Sequence, residues 1–196
     1  MIPDLSPLLP SEDVAYVRVA TPFSATDLHE FCQDLERLYR INSMLEFTEW
    51  RHRSPNHYYL CANNLSNAQA IATELYRSKT ADGFKISYSE GLKSATFIKI
   101  ATDSQNAALI IIDDYSGLPE TQRSQRLAEV DRSLVQWGND LYRYLRNWHR
   151  WRWFLPFRWY MRYIWQPMKP SARRIVYMLI IIALFDLIAL LLLVGM

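Results

Sequence analysis

The last 22 residues are the feature that most limits what this chain can fold into. Residues 175–196 read IVYMLIIIALFDLIALLLLVGM, and 15 of them are Ile, Leu, Val or Phe. As an α-helix this run would extend about 33 Å, slightly more than the roughly 30 Å hydrocarbon core of a bilayer. Buried helices of soluble domains seldom run this long without polar residues. We therefore predict one transmembrane helix at 175–196 that serves as a C-terminal tail anchor.

One acid, Asp186, lies in the middle of this apolar run. An acid at the helix centre costs about 3 kcal/mol on the insertion scale, and the 15 large apolar residues, at about −0.3 to −0.6 kcal/mol each, outweigh it. An intramembrane carboxyl is usually functional or paired with a group on another helix. Two interpretations stay open: Asp186 is protonated and tolerated, or it pairs with a polar or basic residue of a partner's transmembrane helix.

Charge is distributed very unevenly ahead of the apolar run. Residues 1–142 carry 13 Lys/Arg and 19 Asp/Glu, whereas residues 143–174 carry nine Lys/Arg and no acid. The positive-inside rule then predicts that residues 1–174 are cytoplasmic, and we expect the bacterial inner membrane. The N-terminal MIPDLSPLLPSED has no basic region followed by a long apolar run, so we expect no signal peptide. Two cysteines, Cys32 and Cys61, form no recognisable framework and weakly favour a reducing compartment.

The neck, residues 150–174, interleaves arginine with tryptophan. Such a mixture suits both nucleic acid and the edge of a bilayer. The adjacent apolar run favours the bilayer, and we expect no nucleic-acid binding. Residues 157–165 predict an interfacial helix in the headgroup plane, with Phe157, Tyr160, Met161 and Ile164 on its apolar face. The residues predicted at the membrane interface are Arg150, Trp151, Arg152, Trp153, Arg158, Trp159, Arg162, Trp165, Lys169, Arg173 and Arg174. Docking of the neck on a membrane-embedded partner remains an alternative.

The body of the chain alternates in the manner of strands, with two helical segments. Strands are predicted at 12–20, 43–53, 57–65, 68–79, 84–90, 92–102 and 107–115. For 68–79 a helix capped by Ser66 also fits, and we favour the strand. A helix is predicted at 25–41, with Ser24 as N-cap and Asp27 in its first turn.

A second, long helix is predicted at 120–149, because one apolar stripe repeats at steps of three and four residues. The stripe consists of Leu127, Val130, Leu134, Trp137, Leu141, Leu145 and Trp148. It could cover a sheet or form a coiled coil.

This order of elements, together with the turn-rich middle YSEGLKSATFIKI, resembles the SRPBCC superfamily. That superfamily includes START-like lipid carriers, polyketide cyclases and coenzyme Q-binding proteins. The resemblance covers residues 12–149, after a lead at 1–11. It implies an α+β helix-grip fold in which about seven curved antiparallel strands surround a long C-terminal helix and leave an apolar cavity. Many members have a second short helix after the first, and here RINSML leaves little room for one.

Ten residues are candidates to line such a cavity, although for any single one a place in a solid core is the favoured alternative. They are Leu35, Leu38, Trp50, Tyr59, Tyr88, Phe97, Ile111, Leu134, Trp137 and Leu141. No catalytic constellation stands out. Asp113 and Asp114 are adjacent on a strand and point to opposite faces. His52 and His57 lack a third metal ligand. We expect no catalytic residue, no metal and no cofactor.

The function that these features favour is a membrane-anchored, non-enzymatic cytoplasmic module. It would bind a lipid-like or isoprenoid ligand, such as a quinone or a sterol, at the membrane surface. An alternative is an accessory or assembly subunit of a larger membrane complex, docked through the neck and the transmembrane helix. A further alternative is a cyclase or hydrolase of the SRPBCC type.

Overall fold

Seven antiparallel strands form one curved sheet. The structure is a computed structural model and describes residues 14–102, 106–117, 121 and 132–194. The strands are β1 (Val14–Ala20), β2 (Leu45–Ser54), β3 (His57–Asn64), β4 (Gln69–Thr80), β5 (Gly83–Tyr88), β6 (Ala95–Thr102) and β7 (Ala107–Asp114). Their spatial order is β1-β7-β6-β5-β4-β3-β2. All seven predicted strands are confirmed, including the one at 68–79 for which a helix also fitted.

The helices precede and follow this sheet in the chain. They are α1 (Ala25–Gln33), α2 (Leu35–Arg40), α3 (Leu134–Trp151), α4 (Leu155–Tyr160), a π-helical turn (Met161–Trp165) and α5 (Pro170–Val194). The Ser24 side chain caps α1 by accepting a hydrogen bond from the Asp27 amide at 3.1 Å, as the sequence predicts.

The predicted single helix at 25–41 is interrupted at Asp34. The Asp34 side chain accepts a hydrogen bond from the Arg37 amide at 3.0 Å and so starts a new helix, α2. RINSML, residues 40–45, holds no further helix beyond the end of α2, in agreement with the expectation that it leaves little room for one. The short helix α2 forms inside the predicted one, because an aspartate in the middle of an apolar pattern can act as an N-cap.

The long helix α3 lies across the concave side of the sheet. It turns Leu134, Trp137, Leu141 and Leu145 into the core, so the apolar stripe covers a sheet and does not form a coiled coil. Gly138 allows α3 to approach β1 closely, since a Cβ at this position would lie 2.6 Å from Val17 Cγ2. Residues 132 and 133 are not helical and α3 begins at Leu134, so the prediction of one continuous helix over 120–149 was wrong at its N-terminal side. Leu127 and Val130 lie outside the described residues.

The connection between α2 and β2 is tied to α3 by polar side chains. Asn42 Nδ2 donates to Ser133 Oγ at 3.0 Å, and the Ser43 amide donates to Asp140 Oδ2 at 2.9 Å. Trp137 Nε1 also donates to the Leu38 carbonyl at 3.0 Å. A pocket lies on one side of this connection, and the neck lies on the other.

Candidate functional site: an apolar pocket and an aromatic neck

A pocket of about 390 Å³ opens where β3 ends and β4 begins. Its lining is mostly apolar and includes Leu45, Leu60, Ala70, Ile71, Ala72 and Leu92. Asn64, Thr73, Glu90 and Lys93 contribute polar atoms. Leu45 lies opposite Asn64 in the sheet, and Asn64 lies opposite Gln69, so the three strands bring one end of the sheet to the pocket.

A buried row of polar side chains, here called the hydroxyl chain, closes the pocket from inside. It consists of Tyr39, Tyr88, Thr96, Asp113 and Lys93. Tyr39 Oη lies 2.5 Å from Tyr88 Oη, which lies 2.8 Å from Thr96 Oγ1. Thr96 donates to Asp113 Oδ1 at 2.6 Å, and Lys93 Nζ lies 3.0 Å from Asp113 Oδ2. Both tyrosines are among the residues that line the pocket.

Burial keeps both phenols of the hydroxyl chain in the neutral form. Desolvation raises the pKa of Tyr39 well above its usual value, and the neighbouring Tyr88 raises it further. Desolvation also raises the pKa of Tyr88, against the opposing effect of the Lys93 ammonium. The pocket therefore presents protonated hydroxyls at neutral pH.

Sequence reasoning missed most of the hydroxyl chain. Tyr39, Lys93, Thr96 and Asp113 were not predicted as site residues. One signal could have identified Asp113: in the strand AALIIIDD, alternation puts it on the same face as Leu109 and Ile111, which point into the core. The conclusion that Asp113 and Asp114 point apart is correct, and it already places one acid inside the domain.

Only Tyr88 of the ten predicted cavity residues lines this pocket. Six others pack in the hydrophobic core, and Trp50 packs against its edge; the six are Leu35, Leu38, Ile111, Leu134, Trp137 and Leu141. Tyr59 and Phe97 lie on the opposite face of the sheet, under the Arg53 guanidinium and the Lys85 ammonium, respectively. The core-facing residues of β3 and β6 are the sequence neighbours of Tyr59 and Phe97, namely Tyr58, Leu60 and Ile98.

The neck has an inner face that packs on the domain. Met161 is buried in the core, and Phe157, Tyr160 and Trp165 pack against it. The Trp165 ring lies 5.3 Å from the Tyr144 ring of α3, and Phe157 lies 6.2 Å from the Trp148 ring. The helical face that was predicted to lie in the headgroup plane is therefore turned toward the protein, because α3 ends in aromatic residues that it can cover.

Two basic residues hold the start of α5 against the domain. Arg173 donates to the carbonyls of Arg40 at 2.7 Å, Gln166 at 2.9 Å and Trp165 at 3.0 Å. Its guanidinium also lies 4.0 Å from the centroid of the Trp165 ring. Lys169 forms an ion pair with Glu46 at 2.9 Å. These contacts join the start of α5 to the end of α2 and the start of β2, where the neighbouring Tyr39 and Leu45 line the pocket.

The other face of the neck, here called the outer patch, is exposed. It consists of Leu155, Arg158, Trp159, Arg162 and Tyr163, which share one helical face. Trp159 and Tyr163 are 58% and 61% exposed, although such rings are usually buried. In the part of the chain that the structure describes, neither arginine of the patch forms an ion pair.

The remaining predicted interface residues lie before and after the outer patch. Arg150, Trp151, Trp153 and Arg174 are exposed, and Arg152 lies 3.9 Å from the Asp27 carboxylate. Beyond them, α5 is long and apolar enough to cross a membrane from Pro170 to Leu193, and none of its apolar window is buried by the described protein. Asp186 is exposed on this helix.

The predicted histidine pair does not come together as a metal site. His57 contacts the Glu74 side chain and stacks on Tyr76, whereas His52 packs beside Tyr58. Among residues 14–102, 106–117 and 132–194, no three or more His, Cys, Asp or Glu side chains are grouped so that they could hold a metal. Cys32 is buried in the core, which raises the pKa of its thiol to about 12.

Comparison with known proteins gives similarity in structure but not in sequence. No protein-family model and no curated protein matches this chain. The crystal structure of TTHA0849 from Thermus thermophilus matches with a TM-score of 0.52 and 10% identity, covering 68% of this chain and 97% of that one. A protein from Rhodobacter sphaeroides gives a TM-score of 0.50 and 10% identity, covering 70% and 94%. The di-domain ARO/CYC protein StfQ of the steffimycin pathway gives 0.49 and 10% identity, covering 70% of this chain and 52% of that one. At such identity the first two likenesses concern the fold alone, which is a helix-grip-like fold with a seven-stranded curved antiparallel sheet and a long C-terminal helix.

Proposed function

We propose that this protein is a membrane-anchored helix-grip module that binds a mostly apolar, lipid-like or isoprenoid ligand at the membrane surface. One observation carries the proposal. The pocket has an apolar wall and tyrosine hydroxyls, and it lies at one end of the sheet. The start of α5 contacts the same end of the domain through Arg173 and Lys169.

The pocket has the size and chemistry of a small-molecule site. Its volume of about 390 Å³ lies within the range of roughly 300–1,000 Å³ that is usual for ligand pockets. Ligand sites generally combine a mostly apolar wall with a few well-placed polar groups, which here include Tyr39 and Tyr88. A ligand with an apolar body and one polar end would satisfy both parts.

The neck and α5 support a position beside the bilayer. The apolar part of α5 is not covered by any described part of the protein, and it therefore favours a nonaqueous environment. The outer patch precedes this helix, and its Trp159, Tyr163, Arg158 and Arg162 are of the types that occupy headgroup regions. By the positive-inside rule, the basic residues before α5 support a cytoplasmic position for the domain, in our proposal on a bacterial inner membrane.

Native mass spectrometry of the gently solubilised full chain tests the ligand. We expect an apolar small molecule to be retained by the protein, and the pocket-filling variant Ile71→Trp to lose it. Ser78→Trp is the matched control, because Ser78 is exposed on the same strand outside the pocket and should leave retention unchanged. Equal retention by the wild type and Ile71→Trp, or none by the wild type, would contradict ligand binding in this pocket.

The exposed carboxyl of Asp186 favours a second candidate function, an accessory subunit of a membrane complex. A carboxyl near the middle of an apolar helix is costly unless a group on another helix pairs with it. Asp186→Leu should then reduce co-purification of a membrane partner, whereas the neighbouring Ile188→Leu should not. Migration of the wild type as a lone species of 23.2 kDa would argue against this role. The cyclase or hydrolase alternative stays a prediction.

A further inference from the structure

The direction of the protons in the hydroxyl chain is fixed at its buried end. The Asp113 side chain is 1% exposed and forms an ion pair with Lys93. A carboxylate can only accept hydrogen bonds, so Thr96 donates its one hydroxyl proton to Asp113 Oδ1, at 2.6 Å. Thr96 has no second proton, and its bond to Tyr88 Oη at 2.8 Å must be one in which Tyr88 donates.

The same assignment of protons extends to the two tyrosines at the other end of the hydroxyl chain. Tyr88 has given its proton to Thr96, so Tyr39 must donate in the 2.5 Å bond between the two phenols. Burial raises the pKa of both tyrosines, which keeps one proton on each at neutral pH. Tyr39 Oη thus keeps unused lone pairs and has no proton left. It forms no other hydrogen bond within the described residues.

We propose that the pocket selects an apolar ligand whose polar group donates a hydrogen bond, an alcohol, over the carbonyl compound with the same skeleton. An alcohol can donate to Tyr39 Oη. A carbonyl oxygen would meet an oxygen without a free proton, and both would lose their hydrogen bonds with water. This inference rests on the proposed function and narrows its ligand class.

The consequence can be expressed as a ratio of affinities. Leaving a buried polar group without a partner costs about 1–3 kcal/mol, and 1.4 kcal/mol is a factor of ten. We therefore expect the alcohol to bind roughly ten-fold more tightly than the ketone. The hydroxyl chain also predicts how the ratio changes when a link is removed.

Competition between 2-decanol and 2-decanone, measured by native mass spectrometry on the full chain in detergent, tests the proposal. In Tyr88→Phe, Tyr39 no longer donates to residue 88 and its proton becomes available to the ketone, so the ratio should fall to about one or reverse. In Tyr39→Phe the terminal acceptor is gone, and the preference for the alcohol should disappear. Tyr59→Phe is the matched control, since Tyr59 lies on the opposite face of the sheet, and it should keep the wild-type ratio.

Each outcome has a separate meaning. Equal binding of the two probes to the wild type, preference for the ketone, or an unchanged ratio in Tyr88→Phe would overturn the inference and leave the proposed function in place. Failure of both probes to bind would contradict the apolar pocket itself, and with it the proposed function. Because the wild-type ratio alone is decisive, the test does not depend on any variant that folds poorly.

Discussion

The hydroxyl chain and the outer patch are built from similar residues and differ in where their partners lie. Both combine tyrosine with basic side chains. In the hydroxyl chain, Asp113 binds Lys93 and Thr96, and the bonds continue to Tyr39 inside the domain. In the outer patch, Arg158 and Arg162 form no ion pair with the described residues. The first cluster finds its partners within the fold, whereas the second is exposed and has no ion-pair partner among the described residues. Changes in the first should therefore cost stability, and changes in the second should cost an external contact.

Replacing Asp113 with Ala should have the largest effect. The change removes the carboxylate that Lys93 and Thr96 bind in the core, and loss of one partner of a buried ion pair typically costs about 3–5 kcal/mol. Denaturant unfolding of the full chain in detergent would measure the loss. Asp114→Ala is the matched control, because among the described residues its carboxylate binds only the exposed turn at Ser116, and a change under about 1 kcal/mol is expected. Similar losses for the two variants would break the comparison.

Arg173→Met should have the next largest effect and should show that part of the neck belongs to the fold. The guanidinium of Arg173 donates to three carbonyls, and losing hydrogen bonds to a charged group costs about 2 kcal/mol. The same unfolding measurement applies. Arg174→Met removes the exposed neighbour and should change the unfolding free energy by less than about 0.5 kcal/mol. If Arg174→Met destabilised the protein as much as Arg173→Met, the inner contacts would not be what holds α5.

Alkaline pH should weaken the hydroxyl chain. Burial raises the pKa of Tyr39 and Tyr88 above the usual value near 10, so the folded state holds these protons more tightly than the unfolded state. The stabilisation is complete below about pH 9 and is lost as pH rises past 10 toward the raised pKa values. Each tyrosine adds a slope of at most about 1.4 kcal/mol per pH unit. Unfolding curves from pH 8 to 11 should show a shallower decline for Tyr88→Phe; parallel curves would count against a buried neutral phenol.

The outer patch should give the smallest effect on stability and a clear effect on membrane contact. The double change Arg158→Gln and Arg162→Gln should alter the unfolding free energy by less than about 0.5 kcal/mol, because both side chains are exposed. In nanodiscs, hydrogen–deuterium exchange of residues 155–163 should be slower with anionic than with zwitterionic lipid, and the double variant should remove that difference. Equal exchange rates of the wild type in both lipids would contradict binding of the outer patch to anionic headgroups.

Sequence reasoning identified most of the fold because the signals are local. Alternation along each strand, the cap at Ser24 and the apolar stripe of α3 depend on neighbours within a few residues. It was less successful at Asp34, where one capping side chain divides an apolar pattern that otherwise continues from Leu28 to Leu38. In the sequence, an aspartate that caps a new helix cannot be told apart from an exposed aspartate within one continuous helix. The path of the backbone at Asp34 decides between them.

The candidate site was less accessible to this reasoning, because its residues are distant in the chain. Tyr39 and Tyr88 are 49 residues apart, and Thr96 and Asp113 are 17 apart. The ten cavity candidates are mostly large apolar residues, which occur in solid cores as often as in pockets. Most of them lie in the core. Strand pairing decides which inward positions reach the open end of the sheet, and alternation alone gives no information on that.

The sequence by itself determined the helix-grip elements, the apolar helix at the C-terminus and the uneven distribution of charge, since composition and periodicity express these directly. The tertiary structure alone decided the roles within the neck. Aromatic, apolar and basic residues occur on both faces of the neck. Those of the inner face nevertheless pack on α3 and near the α2–β2 connection; they are Phe157, Met161, Trp165 and Arg173. A helix turns different faces to different surroundings, and which face meets the protein depends on the surface that the rest of the chain offers.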